Sequence, residues 1–301
     1  AARFGTSEAV LAASKGMGEG PAGPAAALNI PDLLGEAEKA GATMYQTLLD
    51  YTYQLRKVRR VLNETGQVIK EEFQDYEAYP ARGRHVLIQI ARAGKPLPNW
   101  EVENERKRAG EELERAEREA LNAKAAAQPA FAQSYATASI SGSYYGKHAA
   151  MLIDPAVFLR ACDFSDPRYE TLGGREMIAL GFSPRQGVNL PVTTSFASAL
   201  VGTIWFDAAD KALVRLEARQ ARPGIGKDGK PLPLSPEPKL IYQQMRLPDG
   251  AWVPSVIRMN AAGEASAFYG LNWDVVFEFK EYKRFKTVGE QTEIKAPEKK
   301  P

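Results

Sequence analysis

One cysteine and two histidines in 301 residues leave little from which to build a redox or metal centre. Cys162 alone permits no intrachain disulfide, and with His85 and His148 it gives none of the ligand spacings that zinc requires. No Gly-x-Ser-x-Gly elbow sets a serine nucleophile beside either histidine. Long hydrophobic runs are missing, and the apolar stretches fall well short of the ~20 residues that a membrane-spanning helix needs. An excess of charge is missing as well: 39 Lys and Arg stand against 37 Asp and Glu, which excludes nucleic-acid binding through the field of the whole chain. These absences predict no catalytic residue, no metal site and no cofactor. The low cysteine count leaves the compartment open, because an exported protein can do without disulfides. The chain starts Ala1-Ala2-Arg3 without methionine, and small residues of this kind remain after signal-peptide cleavage. A periplasmic or secreted location, with the signal peptide removed, is therefore the expectation.

What is present is a succession of strands. The run 200–207 (Leu-Val-Gly-Thr-Ile-Trp-Phe-Asp) turns through 208–210 into 211–218. The run 240–246 turns through Pro248-Asp249-Gly250 into 251–259, and 273–285 closes the series. Long strands joined by short loops predict an antiparallel meander. In the last strand Trp273, Val275, Phe277 and Phe279 alternate with Asp274 and Glu278, which predicts one apolar and one solvated face. The two carboxylates fit that wet face better than a glycosidase pair.

Nearer the start, residues 32–50 read as a helix capped by Asp32, with Leu33, Leu34, Ala37, Ala40, Met44, Leu48 and Leu49 as its apolar positions. Strands at 51–62, 67–79 and 84–92 predict a second, three-stranded meander. Its basic stretch Arg56-Lys-Val-Arg-Arg60 reads as an exposed strand protected from aggregation by charge. Residues 100–128 read as a charged helix with a narrow stripe from Ala109 and Leu113 to Ala123, supported by the pairs Glu111–Arg115 and Glu114–Arg118. Residues 129–148 read as loop. A short helical turn at 156–160 and two strands around Gly173-Gly174 follow. Residues 1–31, rich in Ala, Gly and Pro, read as a flexible or docking arm, and 287–301 as a charged tail.

Two further patterns carry little. Gly94-Lys-Pro-Leu-Pro98 recurs as Gly229-Lys-Pro-Leu-Pro233, a reuse of one turn chemistry. Gly224 to Lys230 has the spacing of a phosphate-binding loop, but Pro231 stands where a magnesium-holding Ser or Thr and a helix are needed. The aromatics are more informative. Tryptophans 205, 252 and 273 all lie in the C-terminal meander, where they fill a core or, if the sheet is curved and partly open, line an apolar cleft.

Gly202-Thr-Ile-Trp-Phe-Asp207 followed by a strand with Arg and Glu, and Asp249-Gly-Ala-Trp-Val-Pro254, set after a helix and a three-stranded meander, resemble the periplasmic lipoprotein-sorting factors of the LolA/LolB type. The resemblance covers residues 32–286, with 100–150 as an insertion. It implies an α+β fold: a curved antiparallel sheet, an unclosed half-barrel, with a helical lid over an apolar cavity for acyl chains. It also implies a non-enzymatic, exported binding protein for a lipid or a lipidated partner in the cell envelope. Trp205, Met245, Met259, Trp273 and Phe277 are the expected lining residues, and Phe277→Glu is expected to abolish lipid retention without unfolding the sheet. The alternative is a structural subunit of an envelope-associated or extracellular assembly, docked on protein partners through the arm and the charged helix.

Overall fold

The computed structural model describes residues 28–63, 67–81, 84–125, 156–187, 199–222, 239–260 and 273–285. Residues 1–27 of the expected arm (1–31), the loop at 129–148 with His148, the loop at 224–230, the second Gly-Lys-Pro-Leu-Pro copy and the tail lie outside them. The described elements run α1 (Ile30–Leu48), β1 (Tyr51–Leu62), β2 (Val68–Ala81), β3 (Arg84–Arg92), β4 (Lys95–Pro96), α2 (Asn99–Ala125), α3 (Ala156–Ala161), β5 (Cys162–Leu172), β6 (Arg175–Pro184), β7 (Leu200–Asp207), β8 (Leu213–Gln220), β9 (Leu240–Arg246), β10 (Trp252–Asn260) and β11 (Trp273–Arg284).

All the strands join one antiparallel sheet of 11, in the order β4-β3-β2-β1-β11-β10-β9-β8-β7-β6-β5. Each meander is built of sequence neighbours. The two are sewn together by β1 and β11, with Leu55 opposite Phe279 and Lys57 opposite Phe277. The ends of the order, β4 and β5, are not paired with each other, so the sheet stays open.

Opposed residues of an antiparallel pair share a face, so the register assigns the two sides. One row runs Leu180, Ile204, Leu216, Tyr242, Ile257, Phe277, Lys57 and Gln74. This inner face, up to Phe277, belongs to the main core together with Leu33, Ala37 and Leu48 of α1 and Phe158, Leu159 and Ala161 of α3. The buried positions of α1 are Leu33, Ala37, Met44 and Leu48, a stripe at helical spacing. Its larger members contribute roughly 1.5–3 kcal/mol each by leaving water.

The outer face is polar and ion-paired. Arg56 grips Asp75 with two bonds of 2.7 and 2.9 Å. Asp274 accepts from Arg60 at 3.0 Å and Arg258 at 2.8 Å. A small apolar cluster of Val58, Val256 and Val276, with Phe73 against it, lies among these pairs. At the far end of the outer face α2 lays Ala109 on Val86 and Ile88 of β3.

Four expectations change. The cap of α1 is Asn29, whose side-chain oxygen accepts from the Asp32 N–H at 3.4 Å, because Pro31 fits the first turn and lets the helix start earlier. The basic stretch lies on β1, an interior strand between β2 and β11, and its Arg56 and Arg60 bind carboxylates. Asp274 is not solvated but only 3% exposed beneath its two arginines. On α2 the ion pairs run from Arg106 to Glu103 and from Arg108 to Glu105 and Glu112, whereas Arg118 donates to the Glu114 backbone carbonyl.

Candidate functional site

A cleft of about 400 Å³ opens where α1 crosses the ends of the strands. One wall is a flank of α1 made of small and flexible side chains, Ala37, Ala40, Gly41, Thr43, Met44 and Thr47. The opposite wall is formed by the β7–β8 turn (Asp210, Ala212, Leu213) and the β9–β10 turn (Asp249, Gly250, Ala251, Trp252). Tyr51, Leu159, Gln244 and Arg284 complete it. Its size falls within the ~300–1,000 Å³ typical of small-molecule sites, with apolar walls and a few polar groups at the rim.

Both sequence motifs end on this rim. The side chain of Asp207, 1% exposed, closes the turn that follows it by accepting from the N–H groups of Ala209 at 3.0 Å and Asp210 at 2.8 Å. Arg175 holds the same carboxylate at 2.5 Å. Burial would raise the carboxyl's pKa, but the Arg175 hydrogen bond and those N–H groups outweigh it and hold Asp207 below the usual carboxylate range. Asp210 then ties the two turns together, accepting from Arg246 at 2.9 Å, the Trp252 indole at 3.0 Å and Arg175 at 3.3 Å. Arg175 also lies 5.8 Å from the centre of the Trp252 ring. In the second motif Gly250 has φ +91°, a conformation that favours glycine, and Asp249 accepts from the Ala251 N–H at 3.2 Å. Tyr51 donates its hydroxyl to Asp249. Burial first, and this carboxylate second, push the Tyr51 phenol up to about 12.

None of these groups is arranged as a nucleophile and base. Cys162 is buried, and desolvation pushes its thiol up to about 12, so it stays protonated. His85 packs at a tilt against Tyr53, ring centres 4.9 Å apart, and is bonded through Nε2 to the Tyr51 carbonyl at 2.9 Å, with its pKa lowered by burial. Among the described residues no group of His, Cys, Asp and Glu could hold a metal ion. No described helix is long and apolar enough to cross a membrane.

The expected lining residues fall in different places. Met259 and Phe277 come together on the inner face, through the pairs Met259–Val275 and Ile257–Phe277. At 4% exposure Phe277 is a core residue, so Phe277→Glu tests folding rather than lipid retention. Met245 is half-buried beside the main core, opposite Val253. Trp273 opens β11 opposite Val61, and its side chain is outside the described residues. Trp205 faces the other way: it lies opposite Arg215 on the outer face, donates to Glu170 at 2.7 Å and has the Arg215 guanidinium 5.8 Å from its ring centre. The cleft wall on α1 was missed. Its signal in the sequence is the unbroken small run Ala40-Gly-Ala-Thr43 beside the apolar stripe.

No family model matches the chain, and no curated protein matches it. Solved structures similar to it include a putative outer membrane lipoprotein-sorting protein domain from Vibrio parahaemolyticus, with 9% identity, TM-score 0.36, and 85% of this chain and 95% of the other covered. A DUF1329 family protein from Desulfovibrio piger is 10% identical, with TM-score 0.34 and 86% and 95% covered. A LolA superfamily protein from Nitrosomonas europaea is 10% identical, with TM-score 0.31 and 88% and 96% covered. The open antiparallel architecture rests on the strand order itself.

Proposed function

We propose that this chain is a non-enzymatic binding protein of the cell envelope, which houses the apolar part of a lipid or of a lipidated partner between α1 and the inner face of its sheet. The observation that carries the reading is the cleft of about 400 Å³ between the small-residue flank of α1 and the two motif turns. A helix that buried all its length against the sheet would leave no such room. The walls offer apolar contact, and each CH₂ group that leaves water gains about 0.8 kcal/mol. The rim groups are mostly engaged with one another, as in the Asp210 and Asp249 contacts, so apolar burial supplies the affinity and the rim fixes orientation. The motif resemblance to periplasmic lipoprotein-sorting factors points to the same class of guest.

The test is native mass spectrometry of the purified full chain, followed by solvent extraction. A mass excess that extracts as lipid is the expected result. Gly41→Leu fills the cleft at a position where an added Cβ meets no atom within 4 Å, so the fold should tolerate it. Excluding about two CH₂ groups of the guest costs roughly 1.6 kcal/mol, or about tenfold in retention. A chain that carries no lipid, and whose binding of added lipid is unchanged by Gly41→Leu, refutes the proposal.

A further inference from the structure

The cleft beside α1 has an apolar end and a polar end. The apolar end lies next to α3, where Arg160 reaches Glu38 of α1 at 2.7 Å and so places the neighbouring Leu159 at the same end as Ala37. Thr47 is ten residues further along α1, about 15 Å away, and belongs to the polar end. There Tyr51 is bonded to Asp249, and Arg284 stands opposite Tyr51 on β11. Of the charged residues that line the cleft, Asp210 and Asp249 are acidic and Arg284 is basic. The Arg284 guanidinium also has the Asp50 carboxylate 3.8 Å away. The lining therefore carries no excess of positive charge with which to hold a free anion.

What it does carry is a buried hydrogen-bond acceptor. Gln244 stands two residues beyond Tyr242 on β9, which sends both side chains to the inner side of the sheet. It is 8% exposed and lines the cleft. Its amide nitrogen donates to the Tyr242 hydroxyl at 2.8 Å. Its carbonyl oxygen accepts from no donor among the described residues. The Tyr53 hydroxyl, by contrast, is sealed in the core without a partner, whereas the Gln244 oxygen is reached from the cleft. A buried acceptor without a donor costs free energy, and in a cleft the guest can supply that donor.

Resting on the proposed lipid-binding function, we infer that Gln244 sets the specificity of the cleft: its carbonyl oxygen accepts from a hydroxyl or amide N–H in the uncharged head of the guest, whose acyl chain runs along α1 towards Ala37 and Leu159. The guest is thus an acyl amide or a hydroxyl-bearing acyl ester rather than a free fatty acid. The apolar end holds any acyl chain, and the single acceptor selects among heads.

The experiment is displacement of N-phenyl-1-naphthylamine, an uncharged fluorescent probe, from the full chain by methyl myristate, N-methylmyristamide and 1-monomyristoylglycerol. The first two differ only by an N–H in place of the ester oxygen, and the third brings hydroxyls. The amide stands for a lipidated polypeptide and the glycerol ester for a free lipid. At least one of these two is expected to displace the probe at about fivefold lower concentration than the methyl ester, and which one does so identifies the source of the donor. Gln244→Met removes the acceptor while keeping an unbranched side chain, and should close that gap with the methyl ester curve unchanged. Gln244→Glu retains an acceptor and should keep the gap, and thermal melts of both variants verify the fold. Equal displacement by all three ligands in the parent chain, or a gap that survives Gln244→Met, overturns the role of Gln244 alone. Failure of the probe and all three ligands to bind overturns the lipid-binding reading with it.

Discussion

Gly202, the first residue of the first motif, is where the backbone of β7 runs close against that of β8. A Cβ placed there would stand 1.9 Å from the carbonyl oxygen of Glu217, 2.9 Å from its carbon and 3.0 Å from Cα of Ala218. All three atoms are main chain on β8, so no side chain can swing away to make room. Ordinary contact begins near 3.4 Å, and alanine at this site must push β7 and β8 apart by more than an ångström. Losing about one ladder hydrogen bond (0.5–1.5 kcal/mol) and straining the core that Gly202 shares with Phe182 amounts to about 3 kcal/mol. For a domain of this size that is a fall in Tm of about 6–12 °C. Thermal unfolding followed by circular dichroism measures it. Gly35→Ala serves as the control: it is an exposed helical position with nothing within 4 Å, and should gain about 0.5–1 kcal/mol. A Gly202→Ala melt within about 2 °C of the parent would show that the strands can part freely, and the close-approach reasoning would be refuted.

Three more outcomes are expected. Asp274→Ala leaves Arg60 and Arg258 half-buried without their shared carboxylate and should cost about 3–5 kcal/mol in denaturant unfolding, and a loss under about 1 kcal/mol would show the pair to be idle. The depressed pKa of Asp207 makes its stabilisation complete above the unfolded carboxyl value near pH ~4 and lost as pH falls through the lower folded value, so the parent should lose stability below pH ~4 more steeply than Asp207→Asn; parallel profiles would count against the Arg175 contact. Cys162 should resist a thiol reagent at pH ~8 in the folded protein and react fully in guanidinium, whereas rapid labelling of the native chain would contradict its burial.

Strand edges marked by turn chemistry were legible in the sequence. The runs 51–62, 84–92, 200–207 and 240–246 end at the same residues in the structure, because alternation and a flanking turn fix both limits. The two strands around Gly173-Gly174, which the sequence suggests over 168–182, extend over 162–172 and 175–184 as β5 and β6. Asp166 and Pro167 look like a break, but β5 is an edge strand, and Asp166, with φ +52°, sits within a register shift that absorbs them. The orientation of Trp205 follows from the sequence alternation itself. It stands between Ile204 and Phe206, and with both of these in the core, alternation sends the indole to the other side. The cleft was harder to read. Its walls come from α1 and two distant turns, and only the long-range β1–β11 pairing brings Tyr51 and Arg284 to the same end.

That pairing has a consequence for how the chain comes to be folded. β1 can acquire β2 as soon as both have been synthesised, but its other neighbour lies about 230 residues downstream, since Tyr51 is paired with Arg284. At ~5–20 residues per second the N-terminal meander waits roughly 10–40 s with the bare N–H and C=O groups of one interior strand exposed. The apolar row that β11 will cover is open over the same interval. Folding of this sheet therefore waits on the synthesis of β11, and a holdase that shields an open strand edge is the helper its topology calls for.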